Sequence, residues 1–252
     1  MINVMKAEMR KMRRPNLVLT LGGILGFLSA AITTIVFLKG KNTSATLSKF
    51  DGAYFTFSTM GLFLSLISLS LFASQSANEY SYGTLRNLLV RQPRRMILLG
   101  GKFLAMVFFS MALITFVALV NILLSFAESG IAHADTKLWL SSKAIHSFLD
   151  TFGNMLLATI GYGIYGASLG IIMKSPMSAI SISLLWFMVL ENILGSTLPE
   201  AARCLPGNAL AAVSNGGAKS YSYERGLLMS AAYILIFGGL SAILFQRRDV
   251  AS

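Results

Sequence analysis

Asn78-Glu79-Tyr80-Ser81-Tyr82-Gly83-Thr84-Leu85-Arg86, followed closely by Arg91-Gln92-Pro93-Arg94-Arg95, is a polar, basic island between two long apolar runs. No charged residue occurs from Gly52 to Asn78 before it, nor from Phe103 to Ala127 after it. Each run exceeds the roughly 20 residues that carry a helix across the ~30 Å hydrocarbon core of a bilayer. The island must therefore stand in water at one membrane face. Its four arginines within ten residues assign that face to the cytoplasm, because short Lys- and Arg-rich loops stay inside. With a helix-like middle, such a loop offers a grip to another protein. The plainer reading is a charged loop that only sets topology.

Working outward, the whole composition agrees with a membrane protein. Of 252 residues 55% are hydrophobic and 12% charged, far more apolar than a soluble domain. The single cysteine, Cys204, excludes an internal disulfide. Basic residues precede an apolar run at the N-terminus, as in a signal peptide. That run, Asn16 to Leu38, outlasts the about 7–15 residues of a signal peptide's apolar core, so it reads as a retained span.

The expected fold is an all-α integral membrane protein forming a single transmembrane domain over 1–252, with six spans at about 16–38, 52–76, 103–127, 151–173, 175–195 and 226–245. Residues 1–15 hold Lys6, Arg10, Lys11, Arg13 and Arg14 against Glu8, with Ile2, Met5 and Met9 as an apolar stripe. This pattern predicts a helix lying in the headgroup layer and ended by Pro15. Gly22-x-x-x-Gly26 on the first span and the glycine row Gly161, Gly163, Gly166 and Gly170 on the fourth permit close helix contact. On the second span Ser58, Gly61, Ser65, Ser68 and Gln75 are polar or small, the last four falling on roughly one helical face. A polar stripe on a span faces protein or a water-filled path, or else its serines bond back to their own helix carbonyls. The loop from Glu128 to Asp150 carries both histidines, His133 and His146, and places Trp139 and Leu140 for an interfacial position. The histidine spacing matches no metal-ligand pattern, so no metal site is expected. Between the fifth and sixth spans, residues 205–213 are too few to cross a bilayer and read as a re-entrant or interfacial helix.

Charge tests this topology. The parts assigned to the cytoplasm hold thirteen basic and three acidic residues, and the external parts eight basic and seven acidic, which accounts for the net +11. Both termini are thereby placed inside. The basic balance is topogenic, and no nucleic-acid partner is needed. No catalytic residue emerges: a phosphate-binding Gly-x-x-x-x-Gly-Lys-Ser/Thr, a His-Glu-x-x-His and a Gly-x-Ser-x-Gly are all missing from the sequence. Gly216-Gly217-Ala218-Lys219-Ser220 lacks the phosphate-loop spacing, and Asn42-Thr43-Ser44 fits a glycosylation acceptor only in a eukaryotic secretory setting. Energy for uphill transport would have to come from an ion gradient or from a partner.

Glu79 through Arg86 with its Gly83-Thr84 pair, then Arg91-Gln92-Pro93-Arg94-Arg95 and Gly101-Lys102, resembles the segment between spans two and three of ABC-2-type (type V-like) transporter permeases. The resemblance extends over most of the chain: a basic N-terminal helix, six spans, this loop, and a Leu-Pro-rich segment before the last span. It implies a dimer of permease protomers, identical or not, in a bacterial plasma membrane, docked to two copies of a separate ATPase subunit that carries ATP and magnesium. The chain itself would bind no cofactor. Asn78, Glu79, Tyr80, Tyr82, Gly83, Thr84 and Arg86 would form the coupling helix that enters a groove on the ATPase. The resemblance also implies that spans two and five line the path, with Ser58, Gly61, Ser65, Ser68, Gln75 and Glu191 along it, and that the segment around Pro206 is a re-entrant lid. Tyr80-Ser81-Tyr82 is less charged than the family's usual stretch there.

The expected function is ATP-driven export of an amphiphilic or hydrophobic substrate such as a drug, a lipid or an antimicrobial peptide. A gradient-driven secondary transporter, or a sensor or assembly subunit that transports nothing, remains the alternative. Two expectations can be checked directly. Glu79 and Arg86, seven apart on one helix, should share a face. Glu191 should either be solvated at the external interface or turn inward beside a cation such as Arg203.

Overall fold

The computed structural model describes residues 1–39, 47–217 and 221–247. Asn42-Thr43-Ser44, Lys219, Arg248 and Asp249 lie outside the described residues. Within them the chain is all-helical, and six helices are long and apolar enough to cross a bilayer.

Helix α1, Ile2–Met12, is followed by α2, Pro15–Leu38, which opens on a proline whose missing N–H costs nothing in a first turn. A 3-10 turn at Gly52–Tyr54 and a short α3, Phe55–Thr59, lead into α4, Gly61–Ser81. The helix stops because Gly83 adopts φ 62°, a left-handed conformation open to a residue without Cβ. The chain then restarts as α5, Thr84–Arg91, and α6, Arg95–Glu128. Ser141 caps α7, Ser142–Met173, by accepting a bond from the Ala144 amide at 3.2 Å. α8, Pro176–Leu184, runs through a π-helical stretch, Leu185–Leu190, into α9, Glu191–Thr197. A turn of helix, α10, Pro199–Ala202, precedes α11, Pro206–Ser214, and α12, Tyr223–Arg247, completes the bundle. α1 and the end of α12 come to one end of the bundle, where Val4, Leu85, Leu98, Leu99, Ile171 and Phe245 share a core. That end is called the terminal end below, and the opposite one the far end.

Several boundaries differ from the sequence expectation. The third long helix begins at Arg95 rather than Phe103, giving 34 residues and about 51 Å. The fourth begins at Ser142 rather than Thr151. Both extensions mix apolar residues with charged ones, Arg95 and Lys102 in the first and Lys143 and Asp150 in the second, so a charge-free run does not reveal them. Glu191 does not interrupt the fifth helix, which continues to Thr197 after the π-helical stretch.

The closest packing in the bundle joins α4 to α7, and the glycines of α7 permit it. A Cβ on Gly166 would collide with the Leu69 carbonyl, one on Gly170 with the Ala73 carbonyl, and one on Gly163 would meet Phe72 at 2.7 Å. The α2 glycines behave differently, for a Cβ on Gly22 or Gly26 would meet nothing within 4 Å. Between α2 and α6 a buried amide does the joining: Asn121 donates to Ser29 Oγ at 3.0 Å and accepts from Thr33 Oγ1 at 3.3 Å. At the far end Trp139 is covered by protein rather than turned outward. It is 3% exposed, packs edge-on against Phe37 and Phe126, and donates from Nε1 to the Leu47 carbonyl at 2.8 Å. Leu140 beside it stays exposed.

Candidate functional site

The island of sequence between the second and third long helices folds as the end of one helix, a turn and a new short helix. Asn78 to Ser81 finish α4, Gly83 turns the chain, and Thr84 opens α5. Glu79 and Arg86 are therefore not on one helix and share no face. The left-handed turn at Gly83 is the reason. Glu79 points inward at 7% exposure, whereas Arg86 is exposed.

Glu79 is the centre of a buried ion cluster drawn from three elements. It pairs with Lys102 of α6 and, at 3.1 Å, with Lys11 of α1. Lys11 also holds Glu8 at 2.8 Å, and Lys102 lies 3.9 Å from the same carboxylate. Two acids and two bases thus balance inside the protein, the arrangement that buried charge requires. Burial pulls the Lys11 pKa down, but attraction to Glu79 and the bonds to Glu8 outweigh it, leaving the ammonium above its ordinary value. α1 lies directly on α6, since a Cβ on Gly101 would meet Val4 at 2.6 Å. Its buried line is Glu8 and Met12; of the expected stripe Met9 packs against the core, Met5 is half-buried and Ile2 is exposed.

With Glu79 taken inside, the surface of the turn belongs to others. Tyr82 and Val90 are 77% and 79% exposed, and Gly83, Thr84, Arg86 and Asn87 are exposed beside them. Leu85 is the anchor, 3% exposed in the core with Leu98, Leu99, Ile171 and Phe245. Asn78 is half-buried and donates to Ser74 Oγ at 3.2 Å, and Tyr80 packs against the same core as Leu85. α5 is thus pinned along one side by Leu85 and presents Thr84, Arg86, Asn87 and Val90 outward.

The residues proposed to line a path do not converge. Ser58 is exposed near the far end and donates to the Phe55 carbonyl at 2.7 Å. Gly61, Ser65 and Ser68 are buried inside the chain: a Cβ on Gly61 would touch Ser214, Ser65 bonds back to the Gly61 carbonyl, and Ser68 donates to the Thr159 carbonyl of α7 at 2.9 Å. Gln75 lines a cleft near α1 at the terminal end.

Glu191 sits elsewhere again, 3% exposed at the start of α11. Its carboxylate accepts from the Gly207 amide at 3.0 Å, the Asn208 amide at 2.9 Å and the Trp186 indole at 2.9 Å. Arg203 is not its partner; it pairs with Glu200 at 2.8 Å. Peptide N–H groups at a helix start already carry the positive end of a dipole, so no side-chain cation is called for. Gly207 must stay small, because a Cβ there would strike the Glu191 carboxylate. Tyr162 of α7 closes the arrangement by donating to the Gly207 carbonyl at 3.0 Å.

Glu8, Lys11 and Lys102 are members of the terminal-end cluster that sequence reading passed over. A lone acid in a basic segment, and a lysine in the first turns of an apolar helix, were the available signals. Trp186, Gly207 and Asn208 were missed as partners of Glu191, and Pro-Gly-Asn at a helix start was the signal there.

A family model covers nearly this entire arrangement, matching residues 18–251. The chain belongs to DUF2705, described as a protein family of unknown function. No curated protein matches the chain. The match to DUF2705 takes in all six long helices and the turn at Gly83, but only the Glu79 and Lys102 half of the ion cluster, since Glu8 and Lys11 precede it.

Proposed function

We propose that this chain is the membrane-spanning subunit of an ATP-binding-cassette exporter of the ABC-2 type, exporting an amphiphilic or hydrophobic substrate. The observation that carries the reading is α5 and the turn before it: Tyr82, Thr84, Arg86 and Asn87 are exposed, and the helix is held on a buried leucine base. A docking element must be rigid on one side and free on the other to pass a push from a partner into the membrane. Here the rigid side packs Leu85 into a core with Leu98 and Leu99 of α6, Ile171 of α7 and Phe245 of α12, so a displacement of α5 loads three elements at once. The terminal end faces the cytoplasm in this reading, and a second protomer and two ATPase subunits complete the machine. ATP and magnesium belong to those subunits, and α11 closes the external side as a lid.

The test is co-expression with a candidate ATP-binding-cassette ATPase and recovery of the complex. Arg86→Glu and Tyr82→Ala should lower ATPase recovery several-fold with membrane insertion intact, since an exposed charge on a docking face sets encounter and register. Unchanged recovery from both variants would remove α5 as the docking element.

One observation favours a gradient-driven transporter instead, the buried carboxylate of Glu191. Its three N–H donors give it a structural task already. Transport driven by a proton gradient without ATP, and abolished in Glu191→Gln, would establish that second reading.

A further inference from the structure

A cleft of about 550 Å³ opens at the terminal end, between the elbow of α1 and α2, the last turns of α4 and the first turn of α5. Leu71, Ser74, Gln75 and Asn78 line it from α4. These positions fall at three- and four-residue steps and so form one face, about 10 Å long from Leu71 to Asn78. The cleft is graded. Leu71 and Leu17 form its membrane-ward wall, while Lys11, Arg14, Asn78, Thr84 and Asn87 surround its water-ward mouth.

Charge and unused hydrogen-bonding capacity both point to an anion. Glu8 and Glu79, the acids at this site, are already matched by Lys11 and Lys102. Arg14 is exposed and forms no ion pair among the described residues, so the mouth carries a surplus positive charge. The amides of Gln75 and Asn87 make no hydrogen bond among the described residues, although Gln75 is half-buried. A half-buried amide, a surplus guanidinium and an apolar wall within one cleft suit a ligand with a phosphate at one end and a hydrocarbon chain at the other.

We propose that this cleft binds one anionic phospholipid, its headgroup phosphate held by Arg14 with Gln75 and Asn87, and one acyl chain laid along Leu17 and Leu71. The lipid would join the elbow of α1 and α2 to α4 and α5, the elements that line the cleft. The apolar wall selects a lipid over free phosphate. The proposal does not depend on the chain docking an ATPase.

The experiment uses the full chain, delipidated in detergent and melted in the presence of phosphatidylglycerol, phosphatidylcholine or inorganic phosphate. Phosphatidylglycerol should stabilise the protein at about tenfold lower concentration than phosphatidylcholine, the discrimination expected of one charge-assisted contact. Inorganic phosphate should not reproduce the effect. Arg14→Gln with Gln75→Leu should bring phosphatidylglycerol to the level of phosphatidylcholine, whereas Arg247→Gln, which removes an equal charge elsewhere at the same end, should not. Leu71→Trp fills the membrane-ward wall without touching any charge and should also weaken the phosphatidylglycerol effect, which covers the case in which the double variant fails to fold. Equal response to the two lipids overturns the proposal. So does full stabilisation by inorganic phosphate, an equal loss in Arg247→Gln, or an undiminished preference in Leu71→Trp.

Discussion

Two carboxylates are buried, one at the terminal end and one deeper in the bundle, and they are held in opposite ways. Glu79, at the terminal end, is met by lysines that lie far away in sequence and reach it from α1 and α6. Glu191, beside the start of α11, is met by an indole and by the peptide N–H groups of Gly207 and Asn208. The first arrangement needs every charged partner present, because losing one leaves another charge buried without compensation. The second relies mainly on backbone donors, which only a proline in their place would delete. The terminal end is therefore fragile to changes of charge, and the Glu191 site to changes of shape.

The sharpest way to break this contrast is Lys102→Met. It leaves Glu79 to Lys11 alone and should destabilise the protein by about 3–5 kcal/mol, as when one member of a buried pair is removed. The double variant Glu79→Gln/Lys102→Met should recover much of the loss. Equilibrium unfolding in a fixed detergent micelle measures both. A double variant as unstable as Lys102→Met would mean that packing, not charge, holds this end.

At Glu191 the equivalent change is smaller. Glu191→Gln keeps the shape but turns an amide N–H toward donors that want an acceptor, for a cost of about 1–3 kcal/mol. Hydrogen exchange should rise over residues 206–214 while α4 stays protected. Arg203→Gln should shift stability by less than about 0.5 kcal/mol, as surface changes do. If Arg203→Gln loosens α11 as much as Glu191→Gln does, the cation has a part that the geometry does not show.

Between the ends, the serines of α4 separate cross-helix bonds from local ones. Ser68→Ala removes a bond to α7 and should cost about 0.6 kcal/mol, the average for such a bond between membrane helices. Ser65→Ala removes only a bond to its own helix, so little change is expected. Equal effects in the same unfolding assay would erase the distinction.

These cases show what the sequence could reveal. Long charge-free runs announce helices of membrane length, since any polar group placed there has to be satisfied internally. Asn78 to Arg86 was legible as a polar island with a helical middle, but not as two helices, because the outcome turns on the left-handed conformation of Gly83. Once the helix ends there, Glu79 faces inward and Arg86 outward, and only the packed structure fixes that. The glycine row of α7 signalled close contact without naming α4 as its partner. Glu191 was read with side-chain cations in mind, whereas its partners are backbone groups, which a sequence does not distinguish from residue to residue. Trp139 was placed at an interface by its chemistry, and the Leu47 carbonyl that receives its N–H lies outside any short-range pattern.

The smallest expected effect concerns pH and again separates the two carboxylates. Lys11 sits above its ordinary value of 10.5 because Glu79 and Glu8 hold its charged form against burial. A basic group raised on folding contributes stability that is complete below its unfolded value and is lost only as pH climbs through the higher folded value. From about pH 6 to about pH 9, Lys11 should therefore give the melting temperature no slope at all. Above the raised value the ammonium discharges, Glu8 and Glu79 are left with Lys102 alone, and the contact between α1 and α4 should loosen first. Hydrogen exchange at strongly alkaline pH should then rise over α1 while residues 206–214 hold, because among the described residues no basic side chain pairs with Glu191. A fall in melting temperature between about pH 7 and about pH 9 that Lys11→Met removes would contradict the sign of the shift, and with it the account of how the terminal end keeps its charges.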